Sequence, residues 1–101
     1  MRLVVAVIKP AQVETVRLAL ASVQVTRLTV CDVHGYDRSA DIDSFAQEAL
    51  IEIAVNDDFL DRTVDAVEAA LAAGGGGGRL FVLPMHDAVQ IYREVRGPEA
   101  V

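Results

Sequence analysis

From Leu3 to Ile8 the chain is apolar without interruption, and Arg2 to Lys9 reads as a central strand covered on at least one face. Pro10 ends that run and suits the first turn of a helix. Between Ala11 and Val23 the apolar residues Val13, Val16, Leu20 and Val23 recur at steps of three and four, with Gln12, Glu14 and Arg17 off the stripe. The spacing predicts a helix with one face packed inward. Val25 to Val33 alternates instead and is dense in β-branched residues, which predicts a second strand ending near His34-Gly35-Tyr36. Asp37 to Gln47 is polar and acidic with no sustained period, the pattern of a surface loop. Glu48 to Val55 alternates again, a third strand that makes a hairpin with the second. Asn56-Asp57-Asp58 offers capping side chains and negative charge at a helix start, and Phe59/Leu60, Val64, Val67 and Leu71 form the inward stripe of that helix. Leu80 to Leu83 reads as a fourth strand, and Ala88 to Tyr92 as a short extended segment.

The order β-α-β-β-α-β predicts an α+β, ferredoxin-like sandwich, an antiparallel sheet with both helices on one face. No linker interrupts residues 1–101, so one domain is expected. A core of this size stabilises itself by a narrow margin and leaves sheet edges exposed, so closure into a ring of copies is expected.

Between the second helix and the fourth strand stand five consecutive glycines, Gly74 to Gly78, followed by Arg79. Without Cβ atoms the backbone can take φ > 0 there and turn its N–H groups into a concavity that suits an anion, with Arg79 completing the cradle. A glycine run is more commonly slack linker, and neither GxxxxGK[ST] nor GxGxxG spacing is present, so on the run alone both readings stand.

Composition changes the picture in three ways. Apolar residues make up 52% of the chain and aromatic ones 5%, so the core is built from Val, Leu, Ile and Ala. A net charge of −6, with Lys9 the single lysine, argues against a nucleic-acid surface. The lone Cys31 supports neither a disulfide nor a zinc site and is expected to be a buried strand residue. The apolar N-terminus is too short and lacks the cleavage site of a signal peptide, and no apolar run reaches membrane-spanning length, so a cytoplasmic location is expected.

Candidate chemistry is sparse. His34 and His86 lack metal-ligand spacing and read as exposed loop residues; Asp37, Asp41 and Asp43 lack the order of a calcium loop. No nucleophile and base pair up, so no catalytic residues and no metal ligands are assigned. Arg38, Arg79, Arg93 and Arg96 are candidates for a local anion pocket, or equally for salt bridges to the chain's own acids.

At this point the segments VVAVIKP, LTVCDVHGYDR, FAQEALIEIAVNDDFLDRTVDAVEAAL, GGGGGRLFVLP and RGPEAV, in that order, resemble the PII nitrogen-regulatory signalling family from end to end. Members are homotrimers that bind adenine nucleotides between subunits. The resemblance implies that Thr29, Gly35, Arg38 and Glu52 lie near one wall of such a cleft. It implies that Gly76, Gly77, Gly78 and Arg79 form its phosphate-binding loop, with Arg79 in place of the family's lysine. Three departures go with it. The family's long T-loop is cut to about ten residues with no tyrosine beyond Tyr36, which argues against uridylylation. Ser39 and Glu48 replace the residues associated with 2-oxoglutarate sensing. Gln90 and Tyr92 replace two phosphate-gripping arginines, for which Arg93 and Arg96 are the neighbouring substitutes.

The resemblance therefore implies a non-enzymatic, PII-like regulator. Its ligand would be an adenine nucleotide of the ATP, ADP or AMP class and its partner a transporter or metabolic enzyme, with no required cofactor. Two alternatives remain open at this stage, a trimeric CutA-like metal-binding or metal-tolerance protein and a small enzyme.

Overall fold

In the computed structural model, which describes residues 1–39 and 42–101, β1 (Arg2–Ile8) lies between two antiparallel neighbours. A single 3-10 turn, Pro10–Gln12, leads into α1 (Val13–Ser22). Then come β2 (Thr29–Ser39), β3 (Ile42–Val55), α2 (Asp57–Ala73), β4 (Arg79–Pro84) and a small ribbon of β5 (Val89–Gln90) and β6 (Val95–Arg96). The main sheet runs β2-β3-β1-β4, the ferredoxin-like order.

Alternate residues of β1 and β3 make the core. Val4, Ala6 and Ile8 face the helices with Ala49, Ile51, Ile53 and Val55, and all are buried. Val16 and Leu20 of α1 and Val67, Ala70 and Leu71 of α2 cover them. The buried stripe of α2 is Thr63, Val67, Ala70 and Leu71, and Val64, expected on it, is only half buried. Thr63 is fully buried, and its hydroxyl is paired there, donating to the carbonyl of Phe59 at 2.7 Å.

The other face of the sheet carries no helix. Register sets it out in rows: Leu83, Leu3 and Ala54; Phe81, Val5, Glu52 and Thr29; Arg79, Val7, Leu50 and Cys31; then Glu48 and Val33. Phe81 and Leu83 remain 47% and 43% exposed, so this mainly apolar face is bare in the single chain. Cys31 lies exposed on it, contrary to its expected burial, because β2 is an edge strand and its residue 31 takes the helix-free side.

Three boundaries differ from the sequence expectations. Val25 is buried but precedes β2: its N–H bonds to the Leu20 carbonyl at 2.9 Å in the turn closing α1, where Gln24 takes φ 67°. Of Asp37 to Gln47, expected as a loop, residues 37–39 and 42–47 are strand, since β2 and β3 pair down to Ser39 opposite Ile42; Ala40 and Asp41 lie outside the described residues. That ribbon runs beyond the last β1 contact, Ile8 with Ala49, and contributes to a 49 Å long axis. It shows no apolar alternation because neither of its faces is buried against the body. Asn56 takes the N-cap position of α2 without a capping bond; its amide donates to the Pro98 carbonyl at 3.0 Å instead. The helix start is served by Asp57, whose carboxylate accepts from the N-terminal ammonium at 2.9 Å, an interaction that lowers its pKa.

The glycine run closes α2 and aims the chain into β4. Gly74, Gly75 and Gly76 donate to the last helical carbonyls, and Gly75 to Gly78 all take positive φ. Around Gly76 there is open space, whereas a Cβ on Gly78 would stand 3.2 Å from the Val7 carbonyl and 3.3 Å from Ile8 and Leu71 side-chain carbons.

Denaturant unfolding tests both parts of this account. Ile51→Ala leaves a cavity between sheet and helices and is expected to cost about 3 kcal/mol. Gly76→Ala adds only backbone strain, about 1 kcal/mol, whereas Gly78→Ala adds a clash with fixed backbone and is expected to cost about 2–3 kcal/mol. Equal costs at the two glycines would contradict the close approach at Gly78.

Candidate functional site

Where the glycine turn meets the end of β1 there is a cleft of about 270 Å³, lined by Val7, Ile8 and Lys9, by Ala46, Gln47 and Glu48 of β3, and by Gly78 and Arg79. The geometry follows from register. Arg79 pairs with Val7, so the turn ends beside Lys9, while β3 passes on the other flank of β1 into the ribbon. Two cations, Lys9 and Arg79, therefore face one hollow. Arg79 also lies with its guanidinium 5.9 Å from the Phe81 ring centroid.

Of the three glycines expected to cradle an anion, the Gly76 N–H is occupied, donating to the Leu71 carbonyl at 2.9 Å. Gly77 and Gly78 make no backbone hydrogen bond among the described residues, so their amides are the ones available to a ligand. Position in the turn decides this: the first glycines cap the helix, and only those beyond it are released.

Gly35 belongs to the same end. It pairs with Ala46, and a Cβ built on it would fall 1.7 Å from the Glu48 Oε1 atom, so the Glu48 carboxylate fills the space that a side chain at 35 would need. Arg38 is three residues farther out along β2, opposite Asp43. The ribbon also stacks His34 on Phe45, centroids 5.1 Å apart, which puts His34 on a strand rather than in the loop expected; His86 is exposed outside any strand or helix.

Thr29 and Glu52 face each other across β2 and β3 but do not line this cleft. Thr29 is six residues from Gly35 along β2, about 20 Å. Near that far end is a second hollow, about 350 Å³, whose lining includes Thr26, Arg27, Ala54, Asn56, Phe59 and Val101. Sequence reading missed Thr26, Arg27 and this hollow, because the segments that form it meet only after folding. The C-terminal ribbon lies at the same end: the buried Gln90 amide donates to the Ala100 carbonyl, and Ala100 lines the hollow. Arg96 is held by Asp87 at 2.8 Å, and Arg93 is exposed on the β5–β6 turn. Glu52 and Thr29 thus stand in the row through Val5 at the middle of β1, one row from Val7 and Arg79, while Arg93 and Arg96 belong to the C-terminal ribbon.

No three His, Cys, Asp or Glu side chains gather as metal ligands among the described residues. Asp41, one of three acids considered for a cation, lies outside them. No helix is long and apolar enough to cross a membrane among the described residues.

Comparison with known proteins agrees with this architecture. The family model described as nitrogen regulatory protein P-II matches residues 1–95. Nitrogen regulatory protein GlnK1 of Methanosarcina mazei is 35% identical over 114 aligned positions, covering all of this chain and 97% of the relative. Nitrogen regulatory protein P-II of Rhizobium etli is 36% identical over 112 positions, covering both chains fully, and Escherichia coli K12 GlnK is 34% identical over 90% of this chain and 91% of its own. The first two alignments exceed the 101 residues here, so those relatives carry positions that this chain lacks. The crystal structure of Arabidopsis thaliana PII bound to citrate superposes with a TM-score of 0.84 at 28% identity, over 98% of this chain and 87% of that one. The chain belongs to the P-II nitrogen regulatory protein family.

Proposed function

We propose that this protein is a regulatory subunit that binds an adenine nucleotide at the seam between two copies of itself and passes the bound state to a partner transporter or metabolic enzyme. The observation that carries this reading is the cleft at the glycine turn, which Lys9, Arg79 and Gly78 line, with the amides of Gly77 and Gly78 left without a backbone partner among the described residues. Such a group recognises phosphoryl oxygens by charge and by backbone N–H donors. Arg79 adds a two-pronged contact that a lysine would lack.

The helix-free face supports assembly. Thr29 and Glu52 stand on it in the row next to the Val7–Arg79 row, where a neighbouring subunit would pack. The bare apolar face of the sheet gives that neighbour a surface to cover, and a closed homotrimer covers it in every copy. In this arrangement the exposed Arg93 reaches toward a neighbour's phosphates, while Arg96 is committed to Asp87. Gly35 and Arg38 bring the base of the ribbon to the ligand, which couples occupancy to the part that projects farthest from the body. The protein acts by binding rather than by turnover, in a cytoplasmic setting, and nucleic acid is not among its partners, given the net charge of −6.

Family membership favours this over the CutA-like metal-binding alternative. Citrate in the related plant PII shows that a small polyanion is accommodated in a protein of this fold, and ATP, ADP and AMP are the ligands to try first. Calorimetric titration is expected to show binding of at least one of them, weakened about tenfold to a hundredfold by Arg79→Ala through loss of a charged hydrogen bond worth about 1.5–3 kcal/mol. No heat with any nucleotide would refute the ligand. Light scattering is expected to give three times the 10.8 kDa chain mass, and a value at one chain mass would refute the trimer.

A further inference from the structure

The geometry points to Glu48 as the residue that limits how much affinity each added phosphoryl group contributes in the cleft, so that the preference for a triphosphate over a monophosphate is smaller than Lys9 and Arg79 alone would give. This rests on the nucleotide reading above and concerns the charge balance within the same hollow. Glu48 lines the cleft with Lys9 and Arg79, which leaves one net positive charge among its three ionic side chains. Its carboxylate is folded over Gly35, in space that any larger residue at 35 would claim, and the side chain is half buried. Among the described residues no ion pair or hydrogen bond neutralises it. An unpaired carboxylate is thus held where phosphoryl groups would arrive. Each phosphoryl group added to the ligand strengthens both the attraction from Lys9 and Arg79 and the repulsion from Glu48, so the carboxylate offsets part of the gain that each added charge brings. Discrimination of this kind works by a built-in penalty against the wrong ligand rather than by extra contacts to the right one.

Glu48→Gln keeps the shape and removes the charge. Titration of both proteins with AMP, ADP and ATP, and separately with phosphate, pyrophosphate and tripolyphosphate, is made in metal-free buffer so that no cation bridges the carboxylate to the ligand. In the variant the ratio of ATP affinity to AMP affinity is expected to rise at least fivefold, with AMP itself changing less than twofold, and the gain is expected to shrink as salt is raised. An unchanged or lower ratio, with nucleotides still bound, overturns the role of Glu48 and leaves the nucleotide reading intact. Should nucleotides fail while tripolyphosphate binds the variant at least fivefold more tightly than the parent, the adenine reading falls and the role of Glu48 stands. If neither series binds either protein, both are overturned.

Discussion

The pairing of β1 on both sides is the constraint from which the rest of the molecule follows. All seven of its residues join β3 along one edge, the first six join β4 along the other, and its alternate side chains Val4, Ala6 and Ile8 are fully or almost fully buried. A one-residue slip would exchange the buried and bare sets and place Val7 under the helices, so the register is strongly specified. That register then sets the functional geometry. It brings Arg79 opposite Val7, seats Gly78 against the Val7 carbonyl, and ends the strand at Lys9.

The elements with a buried face were legible in the sequence and those without one were not. Arg2 to Lys9, the stripe Val13, Val16, Leu20 and the alternation Glu48 to Val55 all announce themselves because packing against a core imposes a period. The paired segments 36–39 and 42–47 have no such face, and their strand character rests on backbone pairing alone, which leaves little mark on composition. Cys31 was misplaced because alternation tells two faces apart but not which of them the helices cover. The candidate site was legible in parts. Glycines followed by arginine gave the turn, but the loss of Gly76 to helix capping depends on where α2 stops, and the overlap of Glu48 with Gly35 arises only from cross-strand register.

Two opposing demands meet in the glycine run. A helix end needs donors for its last carbonyls, and the proposed anion site needs donors of its own; Gly74 to Gly76 meet the first need, and Gly77 and Gly78 are the amides left for the second. Positive φ throughout Gly75–Gly78 lets the chain change from one task to the other within a few residues. The open space around Gly75, Gly76 and Gly77 leaves their Cα atoms approachable, while the tight fit at Gly78 anchors the turn to β1. Freedom at one end and fixation at the other is what a pre-organised anion site needs.

The exposed thiol of Cys31 stands in the row with Leu50, Val7 and Arg79, at the edge strand of the helix-free side. In the proposed trimer that side would be shared with another copy, and its sulfur would leave the reach of dissolved reagents. As the single cysteine of the chain, it makes the rate of alkylation an internal gauge of how many molecules stand alone at a given dilution, with no label added.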